Sequence, residues 1–224
     1  MSSEIKETEV SAEQGSPSAA RGMLIIVSSP SGGGKGTLIR RALKSVPNLG
    51  YSVSFTTRES REGEINGKHY HFVSVEEFRA LISAGEFLEW ATVHNHLYGT
   101  SRRQVESELR EGRDIILEID VQGAANVRSL VPSAVSIFIL PPSFEVLRDR
   151  LIARGSERAD ELMLRLRNAR GEVEHYTEFQ YVIINDDAGI AAAQLASIIY
   201  AERARRERQE EAARRVLATF PQDA

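Results

Sequence analysis

Met23-Leu24-Ile25-Ile26-Val27-Ser28-Ser29-Pro30-Ser31-Gly32-Gly33-Gly34-Lys35-Gly36-Thr37 decides the fold. Its opening aliphatic run reads as a strand buried on both faces. The run turns directly into glycines, after which Leu38 and Leu43 fall at helical spacing. A strand, a glycine loop and a helix in that order let backbone N–H groups converge on phosphate oxygens. The positive end of the helix faces the same point, and a lysine closing the loop reaches the terminal phosphates. Ser31, Gly32, Gly33, Gly34, Lys35, Gly36 and Thr37 are therefore the candidate residues for a nucleoside triphosphate. The spelling departs from G-x-x-x-x-G-K-[ST] at both ends, with Ser29 at the first glycine and Gly36 where a hydroxyl is usual. That departure predicts that Thr37 contacts phosphate. Mg²⁺ would then be held mainly by nucleotide oxygens and water, with Thr37 or Asp120 as protein ligands, because this ion keeps its waters readily.

Similar buried runs recur at Ile115–Ile119, Val135–Leu140 and Tyr181–Ile184, each followed by a segment of helical character. Strands alternating with helices predict an α/β fold with a parallel sheet covered on both faces. The rhythm breaks between about 52 and 100. There Tyr51–Phe55 and His69–Val73 alternate with period two around the turn-rich Gly63–Gly67, which predicts a small antiparallel insertion. Ser74 and Glu77 have capping-box spacing, and Gly85 and Gly112 suit helix ends, so the insertion is mixed. Beyond Pro141-Pro142, Arg148, Arg150, Arg154, Arg158, Arg165, Arg167 and Arg170 lie on two predicted helices broken near Gly155, forming a cationic flap. One terminal helix is predicted from Ala188 to about Val216, its last part a solvated face of interleaved Glu and Arg.

Composition narrows the classes. With 28 basic and 32 acidic residues the formal net charge is −4, which gives no long-range attraction to nucleic acid or an anionic membrane. The absence of cysteine excludes disulfides, thiolate metal sites and a cysteine nucleophile. Neither a membrane-length apolar run nor a secretory leader pattern is legible, so the expected location is the cytoplasm. Residues 1–22 are too poor in large apolar groups to order themselves and read as a tail.

Ser52-Val53-Ser54-Phe55-Thr56-Thr57-Arg58-Glu59-Ser60-Arg61-Glu62-Gly63-Glu64, Asn66-Gly67-Lys68-His69-Tyr70, Glu86-Phe87-Leu88-Glu89-Trp90-Ala91, Tyr98-Gly99-Thr100 and Glu118-Ile119-Asp120-Val121-Gln122-Gly123 together resemble guanylate kinases, in order and spacing, over roughly residues 23–200. The resemblance implies a P-loop NTPase-type parallel sheet flanked by helices, a mixed antiparallel GMP-binding insertion at 54–105, and a helical lid at 146–170. The core would then comprise 23–53, 106–145 and 171–224. It further implies ATP:GMP phosphotransfer with Mg²⁺, on GMP or dGMP, by a monomer or a homo-oligomer.

By similarity Arg58, Arg61, Tyr70 and Tyr98 hold the GMP phosphate; guanidinium forks and phenols suit a phosphomonoester dianion. Glu89 matches the carboxylate that reads guanine N1–H and N2–H, and Ser54, Thr100 and Asp120 are placed around the base. Lys35, Arg58, Arg150, Arg154 and Arg165 are the implied catalytic set, and Asn185 resembles the adenine-side loop. Two rivals share the fold: sugar-phosphate kinases, which give Glu89 and Asp120 no guanine edge to read, and phosphopeptide-binding modules, which need neither Lys35 nor the lid arginines. The H-x-H pairs His69/His71 and His94/His96 are read as ordinary strand positions, and Phe87 and Trp90 as core.

Overall fold

The computed structural model describes residues 21–93, 95–153 and 159–221, with the side chains of 159–162, 164 and 165 outside that description. The expectations for His94, Arg154, Gly155 and Arg158, for the Arg165 side chain and for residues 1–20 therefore fall outside the described residues. Gly22, assigned to the tail, already docks: its N–H donates to the Leu109 carbonyl at 2.9 Å.

The main sheet contains β1 (Leu24–Ser28), β2 (Leu49–Tyr51), β7 (Asp114–Glu118), β8 (Val135–Leu140) and β9 (Tyr181–Ile184). Its order is β2-β7-β1-β8-β9, with every described pairing parallel. Central β1 explains its own aliphatic run. Met23, Ile25 and Val27 pack on one face with α1 (Lys35–Ser45) and α7 (Ala188–Arg203). Leu24 and Ile26 pack on the other with α3 (Arg102–Arg110) and α4 (Val121–Leu130). Each such buried aliphatic side chain contributes roughly 1.5–3 kcal/mol. Candidate residues follow the carboxyl ends of β1, β7 and β9, where open parallel sheets place their ligands.

A second sheet has the order β4-β3-β6-β5, from β3 (Phe55–Thr56), β4 (His71–Phe72), β5 (Phe87–Val93) and β6 (His96–Ser101). The expected hairpin between the period-two segments is not what forms. β3 and β4 pair in parallel through Phe55↔His71, and the antiparallel hairpin is β5/β6. Tyr51–Phe55 is likewise not one strand. Tyr51 ends β2 in the main sheet, Ser52 N–H still bonds the Ile116 carbonyl at 3.0 Å, and the chain then crosses to β3 with Ser52 and Ser54 buried. The period of two was genuine, but it turned serines inward, into the crossing between sheets.

Helix α2 (Val75–Ser83) starts at the predicted capping box: Glu77 N–H bonds Ser74 Oγ at 3.1 Å, and Ser74 N–H bonds Glu77 Oε2 at 2.8 Å. Gly85 and Gly112 adopt φ of 70° and 75°, which a side chain would strain. Helices α5 (Phe144–Ala153) and α6 (Ala159–Glu174) carry Arg148, Arg150, Arg165, Arg167 and Arg170 of the expected cationic flap and are followed by a 3-10 turn, His175–Glu178. The predicted terminal helix is two, α7 and α8 (Arg206–Leu217), broken at Arg205, whose ψ of 138° is extended. Tertiary anchoring makes that break without a helix-breaking residue. Glu202 is buried against the Tyr181 hydroxyl, and Arg203 binds Asp114 Oδ2 at 2.6 Å and the Pro47 carbonyl at 2.8 Å.

Candidate active site

The glycine loop is built as the sequence predicts. Gly32 and Gly34 take φ of 87° and 90°, and Gly34 opens α1 with no side-chain cap on the N–H groups of its first turn. A brace that the sequence did not reveal holds this shape. Asn185 Nδ2 donates to the Gly33 carbonyl at 2.9 Å, and a Cβ on Gly34 would lie 2.2 Å from that same nitrogen. Arg150 Nη2 in turn donates to the Asn185 carbonyl at 2.9 Å. Among the described residues, Arg150 Nη1 and Asn185 Oδ1 are buried beside the loop with no hydrogen-bond partner. Asn185, expected as an adenine-side contact, serves here as a buttress. Ser31 N–H donates to Glu172 Oε2 at 2.9 Å, joining α6 to the loop; no motif pointed to Glu172.

Asp120 caps α4, accepting from Gly123 N–H at 3.0 Å on the Glu89 side of the site. Besides Glu172, a second carboxylate stands beside the loop: Glu118, whose Oε1 lies 3.5 Å from where a Gly36 Cβ would stand. A charge ending the buried run Ile115–Leu117 was the available signal for it. Tyr51 donates to Glu118 Oε2 at 3.2 Å, and burial with the Glu118 charge pushes the phenol well above its ordinary range, so it stays a neutral donor. Thr37 Oγ1 accepts from Arg40 Nη2 at 3.2 Å. No group of three or more His, Cys, Asp or Glu occurs among the described residues in a metal-binding arrangement. One carboxylate and one hydroxyl fit an ion carried mainly by its nucleotide and water.

On the insertion, Arg58, Tyr70 and Tyr98 come together. The Arg58 guanidinium lies 5.3 Å from the Tyr70 ring centroid, and the two tyrosine rings are 6.0 Å apart, edge to face. Arg58 is only 12% exposed and is held by Glu64, Nη2 to Oε1 at 2.9 Å. Burial, then the Glu118 charge, raises the Tyr70 phenol to about 12. Arg61 contributes a backbone N–H to Glu64 Oε2 at 2.8 Å, while its residue is exposed, so its guanidinium is less constrained than the other three groups. Glu64, whose role the motif did not disclose, organises both arginines.

Glu89 reaches the interior through a β-bulge. Phe87 pairs with Ser101, but Glu89 pairs with Thr100, so the irregularity between them sets Glu89 opposite Thr100. Thr100 Oγ1 donates to Glu89 Oε1 at 2.6 Å. Glu89 is 7% exposed, and burial raises its carboxyl from 4.5 to about 7, opposed by the Thr100 bond and reinforced by the Asp120 charge. Gly123 permits the approach of α4, since a Cβ there would stand 2.8 Å from Glu89 Oε2. Ser54 is buried at the head of β3. Strand alternation that points Glu89 inward points Trp90 outward; it is 44% exposed, against the core expectation, whereas Phe87 is buried between Phe55 and Phe78.

A buried carboxylate, a cationic phenol-lined pocket and a glycine loop thus lie on two sheets of one molecule. The guanylate kinase family model matches residues 21–202. The chain belongs to the guanylate kinase family. It is 50% identical over 190 residues to the guanylate kinase of Aromatoleum aromaticum, spanning 85% of this chain and 93% of that one. The guanylate kinase of Shewanella oneidensis is 50% identical over 185 residues, 82% and 89% of the two chains. The crystal structure of guanylate kinase from Anaplasma phagocytophilum aligns with a TM-score of 0.71 at 37% identity, covering 83% and 88%. Like its relatives in the guanylate kinase family, the chain is a kinase with a P-loop α/β fold. No helix among the described residues is long and apolar enough to cross a membrane.

Proposed function

We propose that the chain transfers the γ-phosphoryl group of ATP to GMP or dGMP, giving ADP and GDP or dGDP, in the cytoplasm. The observation that carries this reading is Glu89, buried, bonded to Thr100 and set beside the α4 terminus by a bulge. Its carboxylate accepts N1–H and N2–H from guanine together, whereas adenine presents an acceptor at N1 and leaves the buried group unmatched. Ser54, Thr100 and Asp120 complete the base site, and Arg58, Arg61, Tyr70 and Tyr98 neutralise and fix the acceptor phosphate. The sugar-phosphate alternative leaves Glu89 without a partner, and the binding-module alternative leaves Lys35 and the unpartnered Arg150 nitrogen without one.

Ser31 to Thr37 hold the donor triphosphate, with Asn185 supporting the loop near the adenine. Lys35 and the lid arginines Arg150, Arg154 and Arg165 gather charge on the transferring group. The acceptor phosphate is already an anionic nucleophile near neutral pH, so alignment for in-line transfer and charge neutralisation supply most of the rate. Glu118 and Thr37 are the residues that would stand near a Mg²⁺ ion carried by the nucleotide and water, and the ion would supply charge neutralisation. The working division is a core of 23–53, 106–145 and 171–224, an acceptor insertion at 54–105 and a lid at 146–170. A coupled assay offering GMP, dGMP, AMP, UMP and ribose phosphates tests the reading. GMP and dGMP are expected to be turned over and the others not; equal use of AMP would defeat the Glu89 assignment.

A further inference from the structure

Residue 36 is where this loop lacks the usual hydroxyl, and the space beside it is not idle. A Cβ at Gly36 would meet Arg40 Nη1 at 3.3 Å, Glu118 Oε1 at 3.5 Å and Glu118 Oε2 at 3.7 Å. Arg40 stands one helical turn beyond, and helical side chains lean back toward the N-terminus, which brings its guanidinium to the loop. There Nη2 binds Thr37 Oγ1 at 3.2 Å. The placement runs against helix electrostatics. A cation at the positive end of a helix is disfavoured, and α1 has no acidic residue in its first turn to offset it. Arg40 and the α1 terminus together form a corner that an anion would stabilise, with Glu118 beside it.

We propose that Arg40 is a positioning residue of the triphosphate site that stands in for the hydroxyl missing at Gly36, orienting Thr37 and supplying a fixed positive charge beside Glu118. This rests on the kinase reading above. The consequence is a division of labour: with guanidinium charge already at the loop, triphosphate binding depends less on a divalent ion than it would with a serine at 36. A serine at 36 would require Arg40 Nη1, the tip of an exposed side chain, to give way by only a small shift, so the two positions are coupled through charge more than through space.

The test is the ratio of the ATP dissociation constant in EDTA to that in excess Mg²⁺, measured by calorimetry without acceptor. Arg40→Gln is expected to raise this ratio about tenfold, the size of one charge-assisted interaction. Arg40→Lys, which keeps the charge, should stay within about threefold of wild type. Gly36→Ser combined with Arg40→Gln should raise the ratio at least as far as Arg40→Gln alone. A purely structural role for Arg40 would weaken both constants alike and leave the ratio unchanged, and that result overturns the proposal. An Arg40→Lys ratio as high as that of Arg40→Gln overturns it too, because charge would not be the cause. GMP affinity, measured on the same proteins, should be unchanged in Arg40→Gln and reports an intact fold. Failure of wild type to bind ATP at all would instead sink the kinase reading.

Discussion

Replacing Glu89 with glutamine keeps the shape of the side chain and removes its charge, so it isolates what ionisation at this position costs the free enzyme and gives to GMP. Burial raises the Glu89 carboxyl from 4.5 to about 7. A carboxyl raised in this way binds its proton more tightly in the folded chain than in the unfolded one. Its stabilising share is therefore present below the unfolded value and is lost as pH climbs to the folded one. That rise of about two and a half pH units, at ~1.4 kcal/mol each, corresponds to a penalty on the order of 3 kcal/mol above pH 7. Glutamine carries no such penalty and can still accept from Thr100. The Glu89→Gln protein should therefore melt roughly 5–10 °C higher than wild type at pH 8 and at nearly the same temperature at pH 4.5, given ~2–4 °C per kcal/mol for a chain of this size. The same variant should bind GMP at least about a hundredfold more weakly, because two charge-assisted bonds are lost, while its ADP affinity is kept. Differential scanning calorimetry across pH and titration calorimetry with each nucleotide make both measurements. Equal melting temperatures at pH 8, or parallel losses of GMP and ADP, would show that Glu89 is not a buried guanine-reading carboxylate.

Three further outcomes follow from the same geometry. GMP affinity of wild type should fall close to tenfold per unit as pH drops below about 7, the titration of Glu89, beyond the change seen in Glu89→Gln, which corrects for the phosphate's own proton; identical pH profiles would rule this out. Gly34→Ala should abolish nucleotide binding and lower the melting temperature, since φ of 90° and a 2.2 Å clash with Asn185 Nδ2 force either the loop or its brace to move; ADP titration reads the result. Arg150→Ala should lower turnover by about a hundredfold or more and also weaken ADP binding, because it removes a charge at the loop and releases the Asn185 carbonyl; an unchanged ADP affinity would mean the brace is not needed.

Local chemistry explains what could be read in advance. The β1 run, the positive-φ glycines and the Ser74 capping box are decided by neighbouring residues, so the sequence displays them. So are Arg58, Arg61, Tyr70 and Tyr98, whose spacing matches a family pattern. What stayed hidden depends on partners far along the chain. The parallel β3/β4 pairing is fixed by Phe55 stacking on His71 at 4.5 Å, not by the turn between the strands. At the helix break at Arg205, Glu202 is held by Tyr181 of β9 and Arg203 by Asp114 of β7. The position of Glu118 beside the loop follows from the residue spacing at the β7 end: Glu118 still belongs to the strand, whereas Asp120 caps α4.

The amide of Asn185 has a bearing on how the enzyme comes into being. It lies 152 residues after Gly33, on the turn that leaves edge strand β9. Synthesis at ~5–20 residues per second leaves the glycine loop waiting roughly 10–30 s for its brace. During that interval β1 and α1 can form on the ribosome, but the loop has neither Asn185 nor, through it, Arg150. If Arg150→Ala weakens ADP binding as expected, competence to bind nucleotide arrives only when most of the protein has been made.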